Sequence, residues 1–427
     1  MSEATILFIS FAVLLLLGGP IALALGAAAM ITFLYDGQDL SSLVQIAFSS
    51  VNSFPIMALP AFVLAGALME CAGISKRLVR IAEAMIGRIT GGLAITTTLA
   101  CVFFGAISGS GPATTAAVGM LMIPAMIKKG YDKGYAAAAT ATSGGIGIII
   151  PPSIPMVIYG VTSQQSITKM FLAGVIPGLM IAFSMIIMHY ILCKKNNIGI
   201  SDETFNFRKF FRTFRDGFLA LMAPVVILGG IYSGIFTPTE AAIVAIFYTL
   251  FVGIFIYKEM TWAGILKSLE TTSWLTGRVL IIMFTAYSFG RILVQYRIPE
   301  LIADSLLNFT TNIHVIWIVV IAFLIFIGMF METLAIIMIV TPVLLPVMVA
   351  LGVDPIHFGI VLICCLSLGF STPPLGENMF ISSGIAQVTL EEISVKALPF
   401  IFISLIAIMI MVFFPQTILW LPSFFGY

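Results

Sequence analysis

The feature that most constrains this chain is an apolar stretch, interrupted by glycine and proline, that occurs once in each half of the sequence. Adding 222 to a position in the first half repeatedly gives the same residue in the second half, without a gap. The alternative is chance agreement in a glycine-rich membrane chain, and a single offset shared by seven pairs argues against it. Internal repetition of this kind indicates a duplicated fold. The matching pairs are Pro124 and Pro346, Gly130 and Gly352, Asp132 and Asp354, Gly147 and Gly369, Pro151 and Pro373, Pro152 and Pro374, and Pro177 and Pro399.

The first copy, residues 105–152, has an apolar arm, a tip of small polar residues, a second apolar arm and a further apolar segment broken by Gly147 and Pro151-Pro152. Glycine and proline leave backbone polar groups without helical partners, and hydrocarbon cannot satisfy those groups. Such groups are tolerated at membrane depth where protein, water or an ion satisfies them. A re-entrant helical hairpin facing a discontinuous helix is one arrangement that does so, and it builds an ion and substrate site.

The composition is that of a polytopic membrane protein. Of the 427 residues, 60% are hydrophobic and 9% are charged, which lies outside the range of soluble domains. A span needs ~20 mostly apolar residues to cross the hydrocarbon layer. The net charge of +1 gives no support for nucleic-acid binding. The sequence therefore predicts an all-α protein in contact with the lipid bilayer and without a nucleic-acid partner.

Motifs typical of enzymes are missing from the sequence. It contains no HExxH, no GxSxG and no GxxxxGK[ST], which argues against a zinc hydrolase, a serine hydrolase and a P-loop ATPase. His189, His314 and His357 stand alone near predicted span ends or loops, and interfacial positions are expected for them. We therefore expect a protein that is not an enzyme.

Charge bias predicts that the two hairpins enter the membrane from opposite sides. Hairpin 1 is flanked by basic residues such as Lys128 and Lys129, and lysine and arginine favour the cytoplasmic side. Hairpin 2 has acidic flanks, with no lysine or arginine between Arg297 and Lys396. The two repeats are therefore predicted to be inverted, with both chain termini in the periplasm.

The chain divides into two repeats and a linker. Phenylalanine alternates with arginine and lysine in the linker, which suits an amphipathic helix on the inner leaflet, although a solvated linker is the alternative. Interfacial arms are predicted at 40–52 and 261–272. The five predicted parts are 1–52 (first helices and arm of repeat 1), 53–193 (with hairpin 91–127 and broken helix 135–160), 194–217 (cytoplasmic amphipathic linker), 218–272 (first helices and arm of repeat 2) and 273–427 (with hairpin 313–350 and broken helix 356–384).

Each hairpin tip, facing its broken helix, is a predicted sodium site. Na⁺ prefers hard oxygen ligands, which unwound backbone, hydroxyls and carboxylates supply, and half-helix C-termini add a negative dipole end. Simple helix packing is the alternative for the serines, and a structural ion pair or an interfacial position is the alternative for Glu332. Arg278, Arg291 and Glu70 lie nearer span ends, where snorkelling accounts for them. The predicted ligands are Ser108 and Ser110 with Gly147, Ile150 and Pro152 in repeat 1, and Glu332 and Thr333 with Gly369, Thr372 and Pro374 in repeat 2.

An anionic substrate is predicted at the half-helix N-termini that follow each tip and each Pro-Pro pair. Free backbone N–H groups and the positive dipole end attract an anion there. Threonine and asparagine side chains at these positions can add hydrogen bonds to substrate hydroxyl or amide groups. The predicted substrate-binding residues are Pro112, Thr114, Thr115, Ser153 and Asn378.

Four motifs resemble the large membrane subunit of tripartite ATP-independent periplasmic (TRAP) transporters, whose fold belongs to the ion-transporter superfamily. They are GAISGSGPATTAAVG, GGIGIIIPPSIPMVIYG, GIFTPTEAA and STPPLGENMF. The resemblance covers nearly the whole chain. It implies a location in the bacterial inner membrane, Na⁺-driven import, a small four-helix membrane subunit as a separate partner chain, and a periplasmic protein that delivers the substrate.

The same resemblance implies an elevator mechanism. Residues 1–52 and 218–272 would form a fixed scaffold, while the hairpins and broken helices would move with the substrate. Within the family, the chain is most similar to importers of sialic acid (N-acetylneuraminate), with C4-dicarboxylate importers as the close competitor. A stand-alone Na⁺/dicarboxylate symporter and an ion channel are the other functions that the sequence leaves open.

Overall fold

The computed structural model describes residues 3–52, 54–86, 89–199, 206–310 and 312–427, so that positions 200–205 of the predicted linker lie outside the described residues. The described chain is helical and contains no strand. The helices are α1 (Glu3–Leu16), α2 (Ile21–Tyr35), α3 (Leu40–Val51), α4 (Ala58–Cys71), α5 (Ile74–Met85), α6 (Gly92–Ser108), α7 (Gly111–Lys128), α8 (Lys133–Gly144), α9 (Ile154–Thr162), α10 (Ile167–Lys195), α11 (Phe207–Tyr232), α12 (Pro238–Phe251), α13 (Trp262–Gln295), α14 (Ile298–Phe309), α15 (Ile313–Gly328), α16 (Thr333–Ala350), α17 (Pro355–Gly369), α18 (Glu377–Ala386), α19 (Leu390–Phe413) and α20 (Gln416–Phe424).

Seven helical segments among the described residues are long and apolar enough to cross a membrane, which fits a polytopic membrane protein. Shorter apolar helices lie between them, including α6, α15 and α17. The seven segments are Phe54–Cys71, Ile167–Lys195, Phe210–Tyr232, Pro238–Ile256, Trp262–Gln295, Thr333–Ala350 and Leu390–Phe413.

The second half of the chain repeats the helix order of the first half. α7 and α16 begin and end at positions that correspond under the sequence repeat, Gly111 with Thr333 and Lys128 with Ala350. α8 and α17 each follow an aspartate, Asp132 or Asp354, whose carboxylate accepts hydrogen bonds from backbone N–H groups of the first turn. Such a cap satisfies N–H groups that have no partner inside the helix. The sequence repeat therefore corresponds to a repeat of local structure.

Each half contains a helical hairpin and a discontinuous helix. The hairpins are α6–α7 and α15–α16, and the first turns at Gly109, whose φ of +59° suits glycine. The discontinuous helices are α8–α9, with a 3₁₀ turn at Gly145–Ile148, and α17–α18. Both Pro-Pro peptide bonds in the breaks are cis.

The first halves of the discontinuous helices, α8 and α17, lie in the interior of the molecule. α8 is buried along its length from Gly134 to Gly144, and α17 is buried from Ile356 to Gly369. Alanine and glycine dominate α8, so neighbouring helices approach its backbone closely. The break of repeat 1, residues 145–153, is thus enclosed by protein, whereas Pro374 and Leu375 in the break of repeat 2 are exposed.

Two predicted boundaries fall inside continuous helices. α11 runs through the boundary between 217 and 218, and α13 joins the predicted arm 261–272 to the following span. In repeat 1 the corresponding arm, α3, ends before a 3₁₀ turn at Phe54–Met57 that contains Pro55. The corresponding position in repeat 2 is Gly277, which leaves the backbone N–H available, so the helix continues.

Candidate functional site

The breaks of the two discontinuous helices meet. The carbonyl oxygen of Ala141 accepts hydrogen bonds from Ser371 Oγ at 2.9 Å and from Asn378 Nδ2 at 3.1 Å. Next to them Gly145 packs against Ser367, where an added Cβ would lie 2.6 Å from the hydroxyl oxygen. Residues from opposite halves of the chain therefore form one site.

The tip of hairpin 1 is a cluster of hydroxyl and carbonyl oxygens. Ser108 Oγ lies 2.9 Å from Thr114 Oγ1, and Thr114 Oγ1 donates to the Ser110 carbonyl at 2.7 Å. The backbone N–H of Ile154 donates to the Gly109 carbonyl at 3.2 Å, which ties the tip to the start of α9. These are the hard oxygen atoms that Na⁺ prefers, so this tip fits the ion that the sequence predicts.

The break of repeat 1 packs closely on hairpin 1. A Cβ added at Gly105 would lie 2.8 Å from Gly147 Cα, and one added at Gly109 would lie 2.7 Å from the Pro152 carbonyl oxygen. Gly147 itself faces the Ser110 carbonyl and Thr114. The predicted ligands Ser108, Ser110, Gly147 and Pro152 are thus brought together, whereas the side chain of Ile150 packs against Gly178 of α10.

The predicted pocket of repeat 2 is more open. Gly328 of hairpin 2 touches Gly369 of α17, with 2.8 Å between an added Cβ on Gly369 and Gly328 Cα. Thr372 Oγ1 donates to the Leu368 carbonyl at 2.6 Å, and Pro374 is exposed. Thr333 is 3% exposed, and its hydroxyl has no hydrogen-bond partner among the described residues.

Glu332 forms an ion pair. Its Oε2 lies 3.0 Å from Nη2 of Arg278 on α13. A structural ion pair is one of the alternatives that the sequence leaves open for Glu332. The pair also gives Arg278 a partner, although snorkelling alone would account for an arginine near a span end. A carboxylate oxygen is also a hard ligand for a cation, so Glu332 can serve either Arg278 or a cation.

The five predicted substrate residues occupy two kinds of position. Thr115 and Asn378 are fully buried at the meeting point of the breaks, and Thr115 Oγ1 and Asn378 Oδ1 have no partner in the described part of the chain. Ser153 caps α9 and donates to the Ile148 carbonyl at 2.6 Å, so its hydroxyl is already engaged. Thr114 serves the tip cluster, and Pro112 is half-buried at the start of α7.

The N-termini of the four half-helices differ between the repeats. Ser110 caps α7 and Ser153 caps α9 through their side chains. The residues that directly precede α16 and α18 are Glu332 and Gly376, and no described side chain caps either helix. Backbone N–H groups that have no partner inside the helix therefore remain more available in repeat 2.

A buried polar chain beside the break was missed by the sequence analysis. Tyr135 Oη lies 2.8 Å from His189 Nδ1, His189 Nε2 lies 3.1 Å from Thr98 Oγ1, and Thr98 Oγ1 lies 2.8 Å from Ser143 Oγ. The chain links α6, α8 and α10 next to Gly144.

His314 is exposed, whereas His189 and His357 are 0% and 3% exposed and are enclosed by protein. The interfacial depth of the three histidines stays a prediction. Position along a span does not show which side of the helix faces protein, and both histidines lie on faces packed by other helices. His189 packs against Phe400 with the two rings tilted by 46°, and His357 lies against Trp317. The sequence signal that could have identified these buried positions is a single histidine within an apolar run.

A family model described as the DctM component of the tripartite ATP-independent periplasmic transporter matches residues 8–417 of the chain. The chain is 42% identical over 422 residues to the isethionate TRAP transporter permease protein DctMQ of Oleidesulfovibrio alaskensis, a match that spans 99% of this chain and 66% of that relative.

Two proteins of Vibrio cholerae are each 36% identical to the chain. The C4-dicarboxylate TRAP transporter large permease protein DctM is matched over 98% of this chain and 97% of its own length. The sialic acid TRAP transporter large permease protein SiaM is matched over 97% of both.

Among solved structures, the YdaH transporter of Alcanivorax borkumensis superposes with a TM-score of 0.65 at 15% identity, over 87% of this chain and 88% of that one. MtrF of Neisseria gonorrhoeae gives 0.61 at 15% identity, over 88% and 85%. At this identity the superpositions show a shared fold alone.

Proposed function

Because the chain belongs to the DctM component family of tripartite ATP-independent periplasmic transporters, we propose that it carries a small organic anion across the bacterial inner membrane, driven by Na⁺. The observation that carries this proposal is the meeting of two helix breaks at a buried centre, at Ala141, Ser371 and Asn378. Hydroxyl and carbonyl oxygens there suit a cation, and helix N-termini suit an anion.

We propose that the two repeats are inverted in the membrane and that the substrate moves by an elevator mechanism. The repeated helix order and the opposite charge bias of the hairpin flanks support the inversion. The parts 1–52 and 218–272 would form the scaffold, and the hairpins with the discontinuous helices would cross. Close packing of each hairpin on its break, at Gly105–Gly147 and Gly328–Gly369, supports movement of each hairpin together with its break.

The substrate that we propose carries a carboxylate or a sulfonate. Relatives are named for isethionate, C4-dicarboxylates and sialic acid, and each of these is an organic anion. Sialic acid, which the sequence predicts, stays a prediction within this class. By the same family membership, a small membrane subunit and a periplasmic substrate-binding protein are the proposed partners.

The proposal is tested by uptake into proteoliposomes that contain the full chain. Radiolabelled isethionate, succinate and N-acetylneuraminate are supplied outside, with an inward Na⁺ gradient or an equal K⁺ gradient. Separate samples contain the chain alone, the chain with the small subunit, and both with the binding protein. We expect saturable uptake of one anion that needs Na⁺ and both partners.

Other outcomes identify the alternatives. Na⁺-driven uptake by the chain alone would indicate a stand-alone symporter, and flux that neither saturates nor needs a co-substrate would indicate a channel. Uptake that is equal in the Na⁺ and K⁺ gradients would contradict sodium coupling.

A further inference from the structure

The ion pair between Arg278 and Glu332 connects a long helix to a hairpin tip. The pair joins the middle of α13 to the residue that precedes α16, with 3.0 Å between Arg278 Nη2 and Glu332 Oε2. The arginine side chain is 46% exposed and the glutamate side chain 21%. The guanidinium is therefore held at the tip without being enclosed by protein.

Glu332 occupies the position in repeat 2 that Ser110 occupies in repeat 1. Ser110 accepts a hydrogen bond from the third residue after it and so caps α7. Glu332 precedes α16 with an extended backbone, as a capping residue does, and a carboxylate is favoured at a helix N-terminus. Its side chain makes no such cap among the described residues and pairs with Arg278 instead.

Donors for an anion therefore collect at this tip. The first N–H groups of α16 have no side-chain cap within the described chain, and the Thr333 hydroxyl, 3% exposed, has no partner there. Arg278 adds a planar guanidinium that can bind a carboxylate or a sulfonate through two parallel hydrogen bonds. In this structure the Glu332 carboxylate occupies that guanidinium.

A cation is also favoured here. Glu377, at the first residue of α18, is near enough to interact electrostatically with both Glu332 and Arg278. With both carboxyl groups ionised, the two carboxylates and one guanidinium leave one negative charge in excess. A cation at Glu332 would compensate that excess and compete with Arg278 for the same carboxylate oxygens.

We propose that Arg278 is a substrate-binding residue that Glu332 holds in the absence of sodium, and that Na⁺ binding at Glu332 releases Arg278 to the carboxylate or sulfonate of the substrate. This inference rests on the proposed Na⁺-coupled transport of an organic anion. Na⁺ binding and anion binding are then coupled because Na⁺ replaces Arg278 as the partner of Glu332. Because linkage is reciprocal, the bound anion strengthens Na⁺ binding by the same factor by which Na⁺ strengthens anion binding.

Binding to the purified full chain in lipid nanodiscs tests the exchange. Isethionate and succinate are each titrated in NaCl and in KCl of equal ionic strength. The signal is the fluorescence of Trp274, whose ring lies 5.6 Å from the Arg278 guanidinium, and the signal should disappear in Trp274→Phe. Na⁺ binding without an anion is followed separately, by the shift of the thermal unfolding temperature.

For the wild type we expect binding of one anion that is at least ten-fold tighter in Na⁺ than in K⁺. Arg278→Gln should weaken anion binding by ten-fold or more, with Na⁺ binding unchanged or tighter. Glu332→Gln should bind the anion with equal affinity in Na⁺ and K⁺. The matched control is Arg291→Gln, on the same helix and also exposed, which should behave as the wild type.

Removal of one partner of an ion pair can destabilise a protein, whereas removal of both is often tolerated. The double variant Arg278→Gln/Glu332→Gln therefore serves where a single variant does not fold, and it should lose both the anion affinity and its Na⁺ dependence. If the wild type binds an anion in a Na⁺-dependent way but Arg278→Gln retains its affinity within two-fold, the exchange is overturned and the proposed function stands. If the wild type shows no Na⁺-dependent anion binding, the exchange is overturned as well, and the uptake experiment with both partners then decides whether the proposed function stands.

Discussion

Ser110 and Thr372 carry hydroxyls at the two predicted sodium sites, and each hydroxyl already has a hydrogen bond. Ser110 Oγ accepts from the Ala113 N–H at 3.4 Å, and Thr372 Oγ1 donates to the Leu368 carbonyl at 2.6 Å. These bonds fix the orientation of the oxygen without using all its lone pairs. An oriented oxygen with a free lone pair is what a cation site requires.

We expect Ser110→Ala and Thr372→Ala each to raise the Na⁺ concentration for half-maximal uptake by about five-fold, which corresponds to ~1 kcal/mol for one lost ligand. Na⁺ activation of uptake in proteoliposomes measures this change. Ser184→Ala is the control, because its hydroxyl donates to the Ile181 carbonyl within its own helix, away from both predicted sodium sites. Unchanged Na⁺ activation in both test variants would remove Ser110 and Thr372 from the ligand set.

At the scale of helices, two glycine contacts set the distance between each hairpin and its break. Gly105 touches Gly147, and Gly328 touches Gly369, backbone to backbone. Gly147 and Gly369 correspond under the sequence repeat, whereas Gly328 lies one position beyond the counterpart of Gly105, so the same contact is made with a small shift in register. A side chain at Gly105, Gly147 or Gly369 would separate the hairpin from the break, because an added Cβ at each would lie 2.8 Å from a backbone atom of the other segment.

The polar chain of His189 links three helices beside the first break. Replacement of His189 by alanine removes the shorter hydrogen bond of Tyr135, at 2.8 Å, and one bond of Thr98. We expect His189→Ala to destabilise the protein by about 1–3 kcal/mol, the usual effect when a buried partner is lost. Thermal unfolding in detergent measures the loss.

His314→Ala is the matched control for His189→Ala, because His314 is exposed and its replacement should leave the unfolding temperature nearly unchanged. A similar shift for both variants would show that the buried chain contributes nothing specific to stability.

At the scale of the whole molecule, the property to be tested is the direction in which each repeat crosses the membrane. The hairpin and the discontinuous helix follow each other in the same order in both halves, and the charge bias predicts opposite orientations. Lys128 and Ala350 close the two hairpins at corresponding positions of the repeats, and both are exposed. They report directly on the side at which each hairpin opens.

We expect Lys128→Cys to react with a membrane-impermeant maleimide only from the cytoplasmic side, and Ala350→Cys only from the periplasmic side. The background is a variant in which the five native cysteines, four of them buried, are replaced. Labelling in intact cells and in inverted vesicles separates the two sides. Reaction of both positions from one side would contradict the inverted arrangement.

The amino-acid sequence by itself determined where the helices break and how the two halves correspond. Glycine and proline act on their own turn of the backbone, so the hairpins 91–127 and 313–350 could be placed to within a few residues from local chemistry. The continuity of α13 also has a local cause, because Gly277 stands where repeat 1 has Pro55. The predicted arm nevertheless ended at residue 272, within this helix.

Tertiary structure alone decided which polar groups meet. Arg278 pairs with Glu332, and Tyr135 with His189, across different helices that are distant in the chain. Such pairs depend on which faces of packed helices touch, and the apolar periodicity of a membrane chain carries little of that information, because lipid-facing and protein-facing sides are both hydrophobic. The sequence shows that His189 is an isolated polar residue in an apolar run. It does not show that His189 is buried, because the apolar residues around it could face either lipid or protein.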